Sequence, residues 1–224
     1  MKRYQPNSDR IEHIPMSLPI LEHHKDIQLY IYFFFVNGYP FLATKSANLN
    51  FVTDHPCKSR STVKIKTVLD MVLEKYDARG FNVTIIQGDN GFTVAKFKDY
   101  LLPIIVEIYG KDEHVDIIER VIIVMKERCS CITHSIPYIY YTKLTVQSFI
   151  ACVVKWINAF PSKNLIPSTM SPAMIVEVKV NPKFNHKRIT FGSYAMVYTG
   201  TKNNMKRRSV PAIALNKSNE HGGQ

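Results

Sequence analysis

The chain has 224 residues, 46% of them apolar, and 29 Lys and Arg against 18 Asp and Glu, a net charge of +11. This fits one globular domain with an appendage. It argues against a membrane span, because the longest apolar run, Leu29–Val36, stops far short of the ~20 residues that cross a bilayer. The four cysteines, Cys57, Cys129, Cys131 and Cys152, lack the spacing of a disulfide framework. The polar N-terminus has no secretory apolar core. An intracellular protein, nuclear or cytoplasmic and not secreted, is expected.

Residues 1–25 mix Pro, Asn, Ser, His and charge without periodicity, and read as a polar arm or linker. Ile27–Val36 is apolar on both faces, as a central strand should be. Asn37-Gly38 is a strong hairpin signal that returns the chain as Tyr39–Lys45. Asn50–Thr53 reads as a short third strand. Ser61–Arg79 is expected to be a helix, with Ser61 or Thr62 as cap, Val68, Met71, Val72 and Tyr76 at helical spacing, and Gly80 as its end.

Val83-Thr84-Ile85-Ile86 is a β-branched strand running into the turn Gly88-Asp89-Asn90-Gly91. That puts Asp89 at the C-terminal lip of a strand, where open α/β sheets keep their sites. Thr93–Leu102 reads as a short helix ended by Pro103, and Ile104–Tyr109 as the fifth strand. A helix follows that carries Glu119. Its core face is Ile117, Ile118, Val121, Ile122 and Met125, with Arg120, Lys126 and Glu127 solvated. Thr142–Phe160 is a further amphipathic helix with Leu144, Phe149, Val153, Trp156 and Ile157 inward. Ser171–Glu177 is a short capped helix with Pro172 in its first turn. Phe191–Tyr198 and Ser209–Leu215 then form a small β unit.

Charge is unevenly placed. Between Val178 and Asn219 there are nine Lys and Arg and no Asp or Glu, while the residues before hold 20 basic and 17 acidic side chains. Lys202, Lys206, Arg207 and Arg208 cluster near a turn, with Tyr194 and Tyr198 interleaved, a pattern suited to backbone phosphates. A solvated face is the plainer reading of the same charges. Asp89 alone reads equally as a turn aspartate bonding its own backbone. Glu119 alone reads as a solvated helix residue. His114, Cys129, Cys131 and His134 do not have a standard zinc spacing, and no zinc is expected.

Gly88-Asp89-Asn90-Gly91 and Glu119-Arg120, with 29 residues between Asp89 and Glu119, resemble the catalytic core of copia-type retrotransposon integrases. The Ser171-Pro172 helix and the strand led by Phe191-Gly192 are similar to the segment after that core. The resemblance implies an α/β, ribonuclease H-like fold over residues 26–160, a five-stranded mixed sheet flanked by helices. Residues 161–224 would add a connector helix and a basic β appendage. It implies part of a retrotransposon polyprotein that integrates DNA by metal-dependent strand transfer. Retrotransposon ends and target DNA would be its partners, and it would self-associate. Asp89 and Glu119 would be catalytic residues and ligands of Mg²⁺ or Mn²⁺, and two ions would clamp the attacking and leaving oxygens.

One position departs from the pattern. The family's first Asp lies within the first strand, and its equivalent here is Tyr32; Ile27–Val36 contains no carboxylate. Asp26 is six residues earlier, ~20 Å along a strand. The expectation is therefore a retained fold with impaired catalysis. The alternatives are a non-catalytic DNA-binding remnant, or a structural protein that keeps only the scaffold.

Overall fold

The structure, a computed structural model, describes residues 22–57, 62–89, 100–109, 116–161, 170–177, 190–199 and 208–215. In chain order its elements are β1 (Asp26–Val36), β2 (Tyr39–Ser46), β3 (Val52–Pro56), α1 (Thr62–Asp77), β4 (Asn82–Asp89), β5 (Ile105–Tyr109), α2 (Asp116–Ser135), α3 (Lys143–Ala159), α4 (Pro172–Glu177), β6 (Tyr194–Tyr198) and β7 (Ser209–Ile213). Five strands form one sheet in the order β3-β2-β1-β4-β5. The first three run antiparallel in sequence, and β4 and β5 join on the other side as parallel neighbours. A five-stranded mixed sheet flanked by helices is the architecture expected from the sequence.

Local chemistry explains the central strands. Asn37 and Gly38 both take positive φ, 49° and 76°, which closes the β1–β2 hairpin with the hand that strand twist requires. β1 is buried on both faces because helices cover both. Ile27, Leu29 and Ile31 pack with α1 and α4 through Leu69, Val72 and Ile175. Tyr30 and Phe34 pack with α2 and α3 through Ile118, Ile122, Phe149 and Ile150. The β1–β4 register shifts between Ile27 and Gln28, which face Val83 and Ile85, so Thr84 is passed over. A one-residue shift of this kind exchanges the faces of every residue that follows.

The helices end and join in recognisable ways. Thr142 caps α3, its Oγ1 accepting from the Thr145 amide at 3.2 Å. The Met174 amide donates to Ser171 Oγ at 3.3 Å at the start of α4. Arg79 Nε donates to the Ile175 carbonyl at 2.9 Å, and Lys75 lies 3.5 Å from Glu177, tying α4 to α1. Among the described residues no helix is long and apolar enough to cross a membrane.

Several expectations need correction. The third strand is Val52–Pro56 rather than Asn50–Thr53, because pairing with β2 begins at Lys45–Val52. Met71, Ile117 and Leu144 are exposed (43%, 45% and 64%), each one step outside the stripe its helix buries. Ile65, Leu69, Cys129, Val146 and Ile150 take those places in the core. Most of the helix expected over 93–102 lies outside the described residues, and Tyr100–Ile104 is turn and bend.

β6 and β7 pair as a separate antiparallel ribbon. It meets the core where the Phe191 ring packs 5.4 Å from Phe149 and Gly192 presses on Ile136. Gly192 has φ +81°, and a methyl group there would overlap Ile136 Cγ2, the stiff branch of a β-branched side chain. Gly192→Ala is expected to cost about 2 kcal/mol, combining the left-handed backbone with the clash. Urea unfolding checks this; an unchanged midpoint would show that the ribbon's seat is not tight.

Candidate functional site

The C-terminal lip of the central strands is set by register. Ile31, Gly88 and Ile108 form one rung across β1, β4 and β5. One residue further come Tyr32 on β1 and Asp89 on β4, the latter paired with Tyr109 on β5. Two residues before those stand Tyr30, Gln87 and Glu107, again one rung. Strand alternation gives Tyr30 and Tyr32 the same face. That face is covered by α2, whose Ile118 and Ile122 join the Tyr30 and Phe34 cluster.

Glu119 lies on this helix, half-buried beside Ile118 (0% exposed) and in the first turn with Asp116. Carboxylates there also favour the helix dipole by about 0.3–1 kcal/mol, a structural role that needs no ligand. Asp89 therefore ends β4 at the lip beside Tyr32, and Glu119 stands on the helix packed over Tyr32's side of the sheet. Asp26 pairs with Asn82 at the opposite end of β4, away from Tyr32 and Asp89. Asn90, Gly91, Lys202, Lys206 and Arg207 lie outside the described residues. Arg208 is exposed at the foot of β7.

Polar groups that the sequence reading passed over also meet at this lip. Gln87 is buried, and its Nε2 donates to Glu107 Oε2 at 2.6 Å, a charge-assisted bond that orients the carboxylate. Burial raises the Tyr30 hydroxyl above its usual pKa, and the neighbouring Tyr109 adds to the shift. Only strand register brings these four residues together; no local motif announces them. A hollow of about 10 Å³ lies under Gly88 and Ile108, against Ile65 and Leu69 of α1. It is far smaller than the roughly 300 Å³ at which ligand pockets begin.

Other perturbed groups lie toward the far edge of the sheet. Burial pushes the Asp54 carboxyl up to about 7, with Lys75 opposing the shift. Burial, then Lys75, brings His55 down to about 4. Burial, with Cys152 and Asp54 nearby, pushes the Cys129 thiol up to about 12. Cys131, two residues along α2, is exposed, and His134 Nδ1 is 2.7 Å from the Ser130 carbonyl. Among the described residues no three His, Cys, Asp or Glu side chains gather where they could hold a metal.

Strand order, mixed pairing and helix placement define the class: an integrase-type core fold. Solved structures similar to this chain include the catalytic core of BIV integrase, 13% identical, with a TM-score of 0.50, covering 67% of this chain and 93% of that one. The simian T-cell lymphotropic virus intasome in complex with PP2A regulatory subunit B56 gamma is 13% identical, with a TM-score of 0.51, covering 84% and 67%. The HTLV-2 integrase catalytic core in complex with magnesium, in a trimeric form, is 14% identical, with a TM-score of 0.48, covering 68% and 96%. At such identities the likeness is one of fold. No protein-family model and no curated protein matches the chain.

Proposed function

We propose that this chain is the integrase-type domain of a copia-type retrotransposon polyprotein, binding DNA through its basic C-terminal segment, with metal-dependent strand transfer lost or severely weakened. Retrotransposon ends and target DNA are its partners in this reading, and self-association belongs to it. The observation that supports it is the register at the lip: Tyr32 of β1 and Asp89 of β4 each follow the last paired rung, Ile31–Gly88, and the helix that bears Glu119 packs on Tyr32's face of β1.

Mg²⁺ takes hard oxygen ligands in near-octahedral array. Asp89 and Glu119 are of that kind. Tyr32 is not, because a phenol ionises only near pH 10. The donor set is one carboxylate short of a two-ion clamp, and so does not fit one. What remains is positioning and charge: Lys202, Lys206, Arg207 and Arg208 hold phosphates without reading sequence.

Anisotropy with a labelled duplex tests this. Four phosphate contacts predict an affinity that falls about 100-fold between about 50 and about 200 mM salt. In the same preparation Mg²⁺ or Mn²⁺ should support neither nicking nor joining. Joining that vanishes in Asp89→Ala would overturn the impaired site. A scaffold without nucleic-acid function, the second reading, predicts no binding at any salt.

A further inference from the structure

The β6–β7 ribbon exposes more aromatic surface than its own pairing uses. Tyr194 and Tyr198, the first and last residues of β6, are 65% and 56% exposed. Residues i, i+2 and i+4 of a strand share a face, so Met196 lies between them, and the Tyr194 hydroxyl reaches its sulfur at 3.3 Å. Their partners across the ribbon are Ile213, Pro211 and Ser209; the first two add apolar surface and none adds charge. The result is an open strip with a ring at each end.

The sequence on either side of it is cationic. The segment Val178–Asn219, which contains the ribbon, holds nine Lys and Arg and no acid. Arg208 is exposed and directly precedes Ser209, the residue opposite Tyr198. The Thr199 amide donates to the Arg208 carbonyl at 3.0 Å, which anchors the cation's backbone at the Tyr198 end of the strip. A second copy of so basic a segment would be repelled from this face, whereas a polyanion with apolar faces complements it.

We propose that this strip takes unpaired nucleic-acid bases, Tyr194 and Tyr198 each stacking one while the surrounding cations hold the phosphates. Tyr194 and Tyr198 are ~13 Å apart along the strand backbone, whereas stacked bases follow each other at about 3.4 Å. Inside a duplex each base face is covered by its neighbour. Two rings so far apart can each take a base only from a strand whose bases are splayed. Stacking of this kind tolerates any sequence, because every base has a π-face. The inference rests on the reading that the basic segment contacts nucleic acid, and narrows it to single strands or frayed ends.

The test uses the full chain, a labelled oligothymidine and a labelled duplex of equal length. Tyr194→Leu/Tyr198→Leu keeps apolar bulk without rings, and Tyr194→Phe/Tyr198→Phe keeps rings without hydroxyls. The Leu pair should weaken oligothymidine binding about tenfold or more. Its duplex affinity and salt slope should stay within about twofold, and the Phe pair should bind oligothymidine like the parent. Binding to both probes that the Leu pair leaves intact, or loses equally, would overturn the stacking alone. Binding to neither would remove the nucleic-acid reading with it. Preference for phosphatidylserine vesicles over oligothymidine, abolished by the Leu pair, would reassign the strip to a lipid surface.

Discussion

Asn158→Ala is expected to destabilise the fold by about 3 kcal/mol, lowering the melting midpoint by roughly 6–12 °C in a chain of this size. β3 is an edge strand, and its outer side faces α3 rather than water. Asn158, 6% exposed on α3, answers the backbone there twice. Its Oδ1 accepts from the Val52 amide at 2.9 Å, and its Nδ2 donates to the Val52 carbonyl at 2.6 Å. Truncation leaves a buried donor and a buried acceptor unmet, each costing about 1–3 kcal/mol. Asn158→Asp keeps the acceptor but turns a carboxylate toward the Val52 carbonyl, so it should be worse at neutral pH and partly relieved in acid. Thermal melts and hydrogen exchange at the Val52 amide check both variants. A change under about 0.5 kcal/mol in Asn158→Ala would mean that water replaces the side chain at little cost.

That clamp also shows where sequence reasoning stops. Asn158 stands on the inward side of an amphipathic helix, and its partner lies 106 residues earlier. Nothing local distinguishes it from a polar residue at the margin of the stripe. The strands were legible because their signals are local: the run Leu29–Val36, the Asn37-Gly38 turn, and the β-branched residues that lead to Gly88-Asp89. Helix faces were legible at their centres and wrong at their borders, where Met71, Ile117 and Leu144 turn outward by one step of the helix. The sequence singles out Asp89 and Glu119 by type and spacing, and their roles belong to the proposed function. The rung of Tyr30, Gln87 and Glu107 was not legible, because it depends on a β1–β4 register that shifts at Ile27 and Gln28.

The electrostatics of the two ends of the molecule divide the proposed work between them. Holding a polyanion needs only cations, which the segment after Glu177 supplies without any countercharge before Glu220. Transferring a phosphoryl group needs charge stabilised at one point in a fixed geometry. A basic surface survives piecemeal substitution, since each phosphate contact contributes independently. A metal clamp does not, because its ligands act as a unit. Under the proposed function, the absence of a single carboxylate at the lip would therefore separate DNA binding from catalysis.

Tyr32→Asp tests that division directly. Tyr32 is half-buried and packs against the cluster under α2. Removing its ring should cost about 2 kcal/mol in the absence of metal, with a further penalty from a second carboxylate beside Asp89 on the neighbouring strand. A divalent ion should repay that penalty, because two carboxylates that repel each other are the ligands it requires. Groups that merely orient a metal ligand are worth ~10–100-fold in affinity, and a ligand itself is worth no less. Mn²⁺ should therefore raise the melting temperature of Tyr32→Asp in proportion to its binding and leave the parent nearly unmoved. Calorimetric titration should show affinity at least ~10-fold tighter than the parent's, and metal-dependent nicking of a duplex should emerge. Adding Asp89→Ala or Glu119→Gln to Tyr32→Asp should abolish both gains. If Tyr32→Asp is destabilised and Mn²⁺ returns none of the loss, position 32 does not share a site with Asp89, and the impaired-integrase reading fails at its foundation.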